Sequence, residues 1–149
     1  MQKKIIKIPE IKSVEKKEIY DISLLNHSLQ QKIIYDDDDI FKNIKNKLSA
    51  YKQQDKKNEM LNEEKFIDME DVKELLKASN LYCYYCRKEV YILYNTSKQG
   101  NQWTLDRIDN NLGHNKDNCV VSCLKCNLDR GRIDSKKFYF TKRMVIKKQ

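Results

Sequence analysis

The sequence predicts an α+β protein: a small mixed core in the second half, stapled by paired cysteines and preceded by a mainly helical N-terminal extension. Three observations carry this. Cysteines occur as two C-x2-C pairs, Cys83/Cys86 and Cys123/Cys126, with 36 residues between the pairs. β-prone segments lie between them, whereas apolar residues before them recur at helical spacing. Glycine (3) and proline (1) are too scarce for an all-β protein built on turns. The 149 residues suffice for one small domain with an extension. The division falls at residue 66, with 1–66 largely helical or partly disordered and 67–149 forming the core and a last helix.

Taken in order, the first 35 residues have no strong period. Ile5, Ile6, Ile8 and Ile11 suggest a short strand, broken by Pro9. Four aspartates at 36–39 precede Ile40, Phe41, Ile44, Leu48 and Tyr51. Acidic residues in a first turn complement the helix dipole, so 38–52 is expected to be helical and 52–65 a linker or frayed helix. Asp68 fits an N-cap, and Val72, Leu75 and Leu76 form one apolar stripe ending near Ser79 and Asn80. Residues 89–94 are β-prone. Strands are expected at 102–108 and 119–122, with a helix opening near 124 and stopping or bending at Arg130 and Gly131. Asp134 and Ser135 cap a last helix carrying Phe138, Tyr139, Phe140 and Met144.

Charge is one-sided. Residues 1–80 carry 16 Lys/Arg and 16 Asp/Glu, residues 81–149 carry 14 and 6, so the whole net charge of +8 lies in the second half. That is the footprint of a polyanion binder. Mean hydropathy is −0.83, and no stretch approaches the roughly 20 apolar residues that span a bilayer. The N-terminus is too charged and too short in apolar residues for a signal peptide. An intracellular, reduced location, cytoplasmic or nuclear, follows as the expectation.

In a reducing compartment, paired cysteines bind metal more often than each other. A C-x2-C knuckle puts two sulfurs on adjacent corners of a tetrahedron, and two knuckles complete a structural Zn2+ site from Cys83, Cys86, Cys123 and Cys126. Cys119, four residues before Cys123, reads as a small buried hydrophobe. Tyr82, Tyr84 and Tyr85 are expected to pack around the zinc, and His27 has no assigned role.

The insert between the knuckles holds a second kind of chemistry. Asp106 lies late in a strand, within Trp103-Thr-Leu-Asp-Arg-Ile-Asp-Asn. Asn118 and Asn127 follow within Asp117-Asn-Cys-Val-Val-Ser-Cys-Leu-Lys-Cys-Asn-Leu-Asp-Arg-Gly. Strand, loop, strand and helix with these residues resemble the ββα-metal, treble-clef-like core of HNH endonucleases over about residues 80–133, whose cores are often clamped by two such knuckles. The resemblance implies hydrolysis of phosphodiester bonds in DNA with catalytic Mg2+ or Mn2+. It implies Asp106 and Asn127 as ligands of that cation, which suits hard oxygen donors. It implies Asn118 as the residue that ties the loop.

Arg107 stands where the family carries its general-base histidine, and a guanidinium stays protonated. Three accounts are open. His114 reaches back from the loop as the base; Asp109 or a hydroxide on the cation serves instead; or the site no longer cuts and Arg107 grips phosphate. Lys125, Arg130, Arg132, Lys136 and Lys137, with Lys142 and Arg143, form a candidate phosphate-neutralising cluster beside the site. The alternative to a nuclease is a catalytically inactive, zinc-stapled nucleic-acid-binding module, and a weaker one is a treble-clef adaptor for proteins. Residues 1–66 lie outside the resemblance, and three alternatives stay open for them: specificity, homodimer formation or partial disorder.

Overall fold

The computed structural model describes residues 25–144, so the strand expected at 5–11 lies outside the described residues. The order is α1 (His27–Ile33), α2 (Asp38–Lys57), α3 (Met69–Ser79), β1 (Trp103–Arg107), β2 (Cys119–Cys123), α4 (Leu124–Arg130) and α5 (Ser135–Met144). Among the described residues this is a mixed architecture of five helices and one two-stranded antiparallel sheet. β1 pairs with β2 in the register Trp103↔Cys123, Leu105↔Val121, Arg107↔Cys119.

Local chemistry fixes the helix ends. Asp37 caps α2 by accepting from the Ile40 N–H, with Asp38 and Asp39 in the first turn and Lys56 and Lys57 in the last. The helix runs to 57, into the segment expected to be a linker or frayed helix. Asp68 caps α3 and forms a reciprocal capping box with Asp71. Asn80 ends α3 in the left-handed conformation, φ 57° and ψ 27°. Gly131 closes α4 at φ 52°.

The β-prone stretch 89–94 forms isolated bridges instead, Tyr82↔Glu89 and Tyr91↔Gln102. The reason is Gln30, a fully buried side chain of α1 that occupies the backbone groups a strand neighbour would use. Its Oε1 accepts from the N–H groups of Ile92 (2.7 Å) and Leu93 (3.0 Å), and its amide donates to the Leu93 carbonyl.

Ile34, Ile40 and Ile44 share one buried cluster with Val72, Leu76, Leu81, Trp103 and Leu105. Three polar contacts from α2 reinforce this packing against β1. Asn43 accepts from the Trp103 indole N–H at 2.7 Å, Lys47 donates to the Trp103 carbonyl, and the Leu105 N–H donates to the Tyr51 hydroxyl. Helix α2 is thus part of the scaffold that carries β1. Among the described residues no helix is long and apolar enough to cross a membrane.

Candidate functional site

The cysteine corner forms first from backbone. The turn after Cys83 is closed by the Arg87 N–H to the Cys83 carbonyl, with Arg87 at φ 68°. Cys123 ends β2 and caps α4, its sulfur accepting from the Cys126 N–H at 3.3 Å. The N–H groups of Tyr85 and Cys86 point at the Cys83 sulfur. The four sulfurs lie within 4.8 Å of one another. A tetrahedral Zn2+ with Zn–S bonds of about 2.3 Å sets sulfurs about 3.8 Å apart, and Cys86 and Cys123 stand at 3.9 Å. Hydrogen bonds from Cys123 and Cys126 pull the Cys83 thiol well below its ordinary value, and hydrogen bonding with Cys123 first, then with Cys83, lifts Cys126. Such a donor set fits a zinc ion. Cys119 stays apart from it, buried and pushed up to about 12 by that burial.

The second corner is a cleft of about 1380 Å3, lined among others by Thr104, Asp106, Arg107, His114, Asn127 and Arg130. Alternation along β1 puts Thr104 and Asp106 on one face. Asn127, in the first turn of α4, donates from its amide to the Thr104 hydroxyl at 3.0 Å, which brings its side chain to the Asp106 face. Neither Asp106 Oδ1 nor Asn127 Oδ1 has a hydrogen-bond partner among the described residues.

Asp106 Oδ2 is held twice. The Tyr85 hydroxyl donates to it, and Arg130 Nη1 donates at 2.7 Å in an ion pair almost wholly removed from solvent. Arg130 also donates to the carbonyls of Arg107, Ile108 and Ile133. It is 2% exposed. This corrects its expected place in a phosphate-facing cluster: its guanidinium is committed inside the protein, to a carboxylate and three carbonyls. Tyr85 likewise packs inside, edge-on to Phe138, and burial followed by the Asp106 hydrogen bond raises its hydroxyl above the ordinary value.

Asn118 closes the loop between β1 and β2. Its amide donates to the carbonyls of Asp109 and Gly113, and its oxygen accepts from the Asp109 N–H. Asp109 caps that loop through the Asn111 N–H. Arg107 braces it, donating to the carbonyls of Asn110 and Leu112. His114 is buried on the cleft wall, 3% exposed, with its Nδ1 2.8 Å from Asp55 Oδ1. Burial lowers its basicity first, opposed by the Asp55 carboxylate. Lys125, Arg132, Lys136 and Lys137 are exposed, and Arg132 and Lys136 line the cleft. Lys125 is paired with Asp129 at 3.0 Å.

Sequence reasoning missed three partners: Arg130 on Asp106, Tyr85 on Asp106, and Asp55 on His114. Only Asp55 left a signal. It continues the apolar stripe Ile40, Ile44, Leu48, Tyr51 by one more helical step, and a carboxylate on such a stripe requires a buried partner. No protein-family model, curated protein or solved structure matches this chain.

Proposed function

We propose that this chain is a divalent-cation-dependent endonuclease of the HNH type, with a zinc-stapled ββα-metal core, that hydrolyses phosphodiester bonds in DNA. One observation carries the reading. Asp106 and Asn127, each with one oxygen that has no hydrogen-bond partner among the described residues, line the same cleft as His114, in the half of the chain that carries the whole positive charge.

The donor set fits a hard cation: one carboxylate oxygen and one amide oxygen, with room for waters and a phosphate oxygen. Mg2+ or Mn2+ there would stabilise the charge that builds on the phosphate and the leaving 3′ oxygen. The other tasks fall to the protein's own groups. Arg132 and Lys136, on the cleft rim, offer charge to flanking phosphates. Arg107, with its loop contacts made through one nitrogen, keeps others for the strand in the cleft. His114 takes the proton from a water. The water oxygen bonds to phosphorus, the P–O3′ bond breaks, and the 3′ oxygen leaves to be protonated.

The ion pair of Arg130 with Asp106 favours a second reading, a non-catalytic nucleic-acid-binding module, because the guanidinium neutralises the carboxylate that would hold the cation. A plasmid-nicking assay with Mg2+ or Mn2+ separates the two. Wild type is expected to nick, and Asp106→Asn, which keeps the shape and removes the charge, to lose nicking. Equal nicking by both proteins, or none by either, rejects the nuclease reading.

A further inference from the structure

We propose that Asp55, on a helix outside the resemblance to the nuclease core, is the positioning residue that fixes the tautomer of His114 and turns its Nε2 lone pair toward the cleft. The role of that lone pair as a base rests on the nuclease reading; the positioning itself does not.

The geometry is specific. Asp55 is 1% exposed, at the C-terminal end of α2. Its Oδ2 accepts from the His114 backbone N–H at 2.6 Å and its Oδ1 faces His114 Nδ1 at 2.8 Å. One carboxylate thus holds both the backbone and the ring of the same residue. A carboxylate offers only lone pairs, so the ring proton sits on Nδ1. His114 Nε2 has no hydrogen-bond partner among the described residues, and His114 lines the cleft together with Asp106 and Arg107.

Tyr51, one turn before Asp55 on the same helix face, stacks on the imidazole with ring centres 4.3 Å apart and planes 22° apart. Helix α2 therefore fixes the ring by its face and by its edge. Gly113 shows how tightly the loop is seated: a Cβ there would lie 2.6 Å from Asp55 Oδ2 and 2.7 Å from the Met60 carbonyl. A carboxylate serving only as a loop anchor would need the backbone contact alone. The second contact, to a ring nitrogen whose opposite nitrogen is unpartnered at the cleft, is what a base and its orienting group require.

The test is the ring tautomer, read by 15N NMR of the full chain at about pH 8, where imidazole is neutral. Wild type is expected to show Nδ1–H with a bare Nε2. In Asp55→Asn the single remaining oxygen stays with the backbone N–H, and the amide NH2 faces Nδ1. The ring is then expected to switch to Nε2–H while the melting temperature changes little. Cleavage by that variant should fall about 10²–10⁴-fold in kcat with KM nearly unchanged.

An Nε2–H tautomer in wild type overturns the inference, as does an Asp55→Asn variant that cuts at the wild-type rate. If the variant fails to fold, the wild-type tautomer alone decides. A tautomer that switches as expected in a protein that never cuts DNA upholds the positioning by Asp55 and defeats the nuclease reading.

Discussion

The sulfur corner and the carboxylate corner sit at opposite ends of one strand pair, Trp103↔Cys123 at one and Asp106↔Val120 toward the other, and they are built by opposite means. The sulfur corner uses four identical thiols in a repeated spacing, a set that could hold one metal ion. The carboxylate corner uses unlike groups, each single, drawn from α2, β1, the loop and α4. Its charges are settled by partners distant in sequence: Tyr85 and Arg130 for Asp106, Asp55 for His114. A staple needs only matching donors around one ion. A reactive site needs each group held in one protonation state and one direction, which takes neighbours chosen one by one.

The largest expected effect tests the staple. A bound zinc would tie the two knuckles together across the sheet and carry part of the region's folding free energy, which in small zinc modules is on the order of 10 kcal/mol. Chelation, or Cys126→Ser, is expected to abolish the cooperative thermal transition of the region that includes β1, β2 and α4. Chelated protein that melts at the untreated temperature would break the comparison at its stronger side.

Next comes the buried ion pair. Asp106→Ala leaves the Arg130 guanidinium uncompensated at 2% exposure, and breaking a buried pair from one side costs about 3–5 kcal/mol. Urea denaturation should show that loss, and Asp106→Ala combined with Arg130→Met should recover much of it. A loss under 1 kcal/mol in the single variant would mean that the pair is far better hydrated than its burial implies.

These two corners were unequally legible in the sequence, for a physical reason. The knuckles, the Asp68 cap and the β1 and β2 strands follow from local pattern: spacing, capping chemistry and alternation. So does the stop at Gly131, where a positive φ suits glycine. Asp106, His114, Asn118 and Asn127 could be picked out as residue types, and the first three are now seen buried with named partners. The partners were not legible, because nothing near Asp106 in the chain says that Tyr85 and Arg130 will reach it. Arg130 was misread for the same reason. A basic residue beside other basic residues looks solvated until the fold supplies a carboxylate. The β-prone stretch 89–94 forms only isolated bridges for a similar reason, since the Gln30 amide that takes its backbone groups lies more than 60 residues away.

A smaller effect is expected at Gly113. Alanine there puts a Cβ against both the Asp55 carboxylate and the Met60 carbonyl, and one of these is backbone, so the loop must move. A stability loss of about 1–3 kcal/mol is expected, as for other overpacked sites, together with broadened or shifted His114 ring signals. Unchanged ring signals would show that the loop can yield without disturbing the imidazole, and would loosen the link between α2 and the cleft.

The smallest and most diagnostic effect is on pH dependence. His114 sits below its ordinary value of 6.5, because burial disfavours the imidazolium more than the Asp55 carboxylate favours it, with Arg107 adding to the depression. The unfolded chain therefore takes up the proton at a higher pH than the native protein does. The stabilising contribution is present above about 6.5 and is lost as pH falls through the lower native value. The same depression keeps the ring neutral, and able to accept a proton, at pH values where a free histidine is already charged. The acid limb of kcat/KM is thus expected below 6.5, and removing the carboxylate in Asp55→Asn should move the His114 titration lower still. An NMR titration of the ring measures this without reference to cutting. A midpoint at or above 6.5 in wild type would mean that the carboxylate outweighs burial, and the cleft would then hold an imidazolium, a phosphate anchor in place of a base.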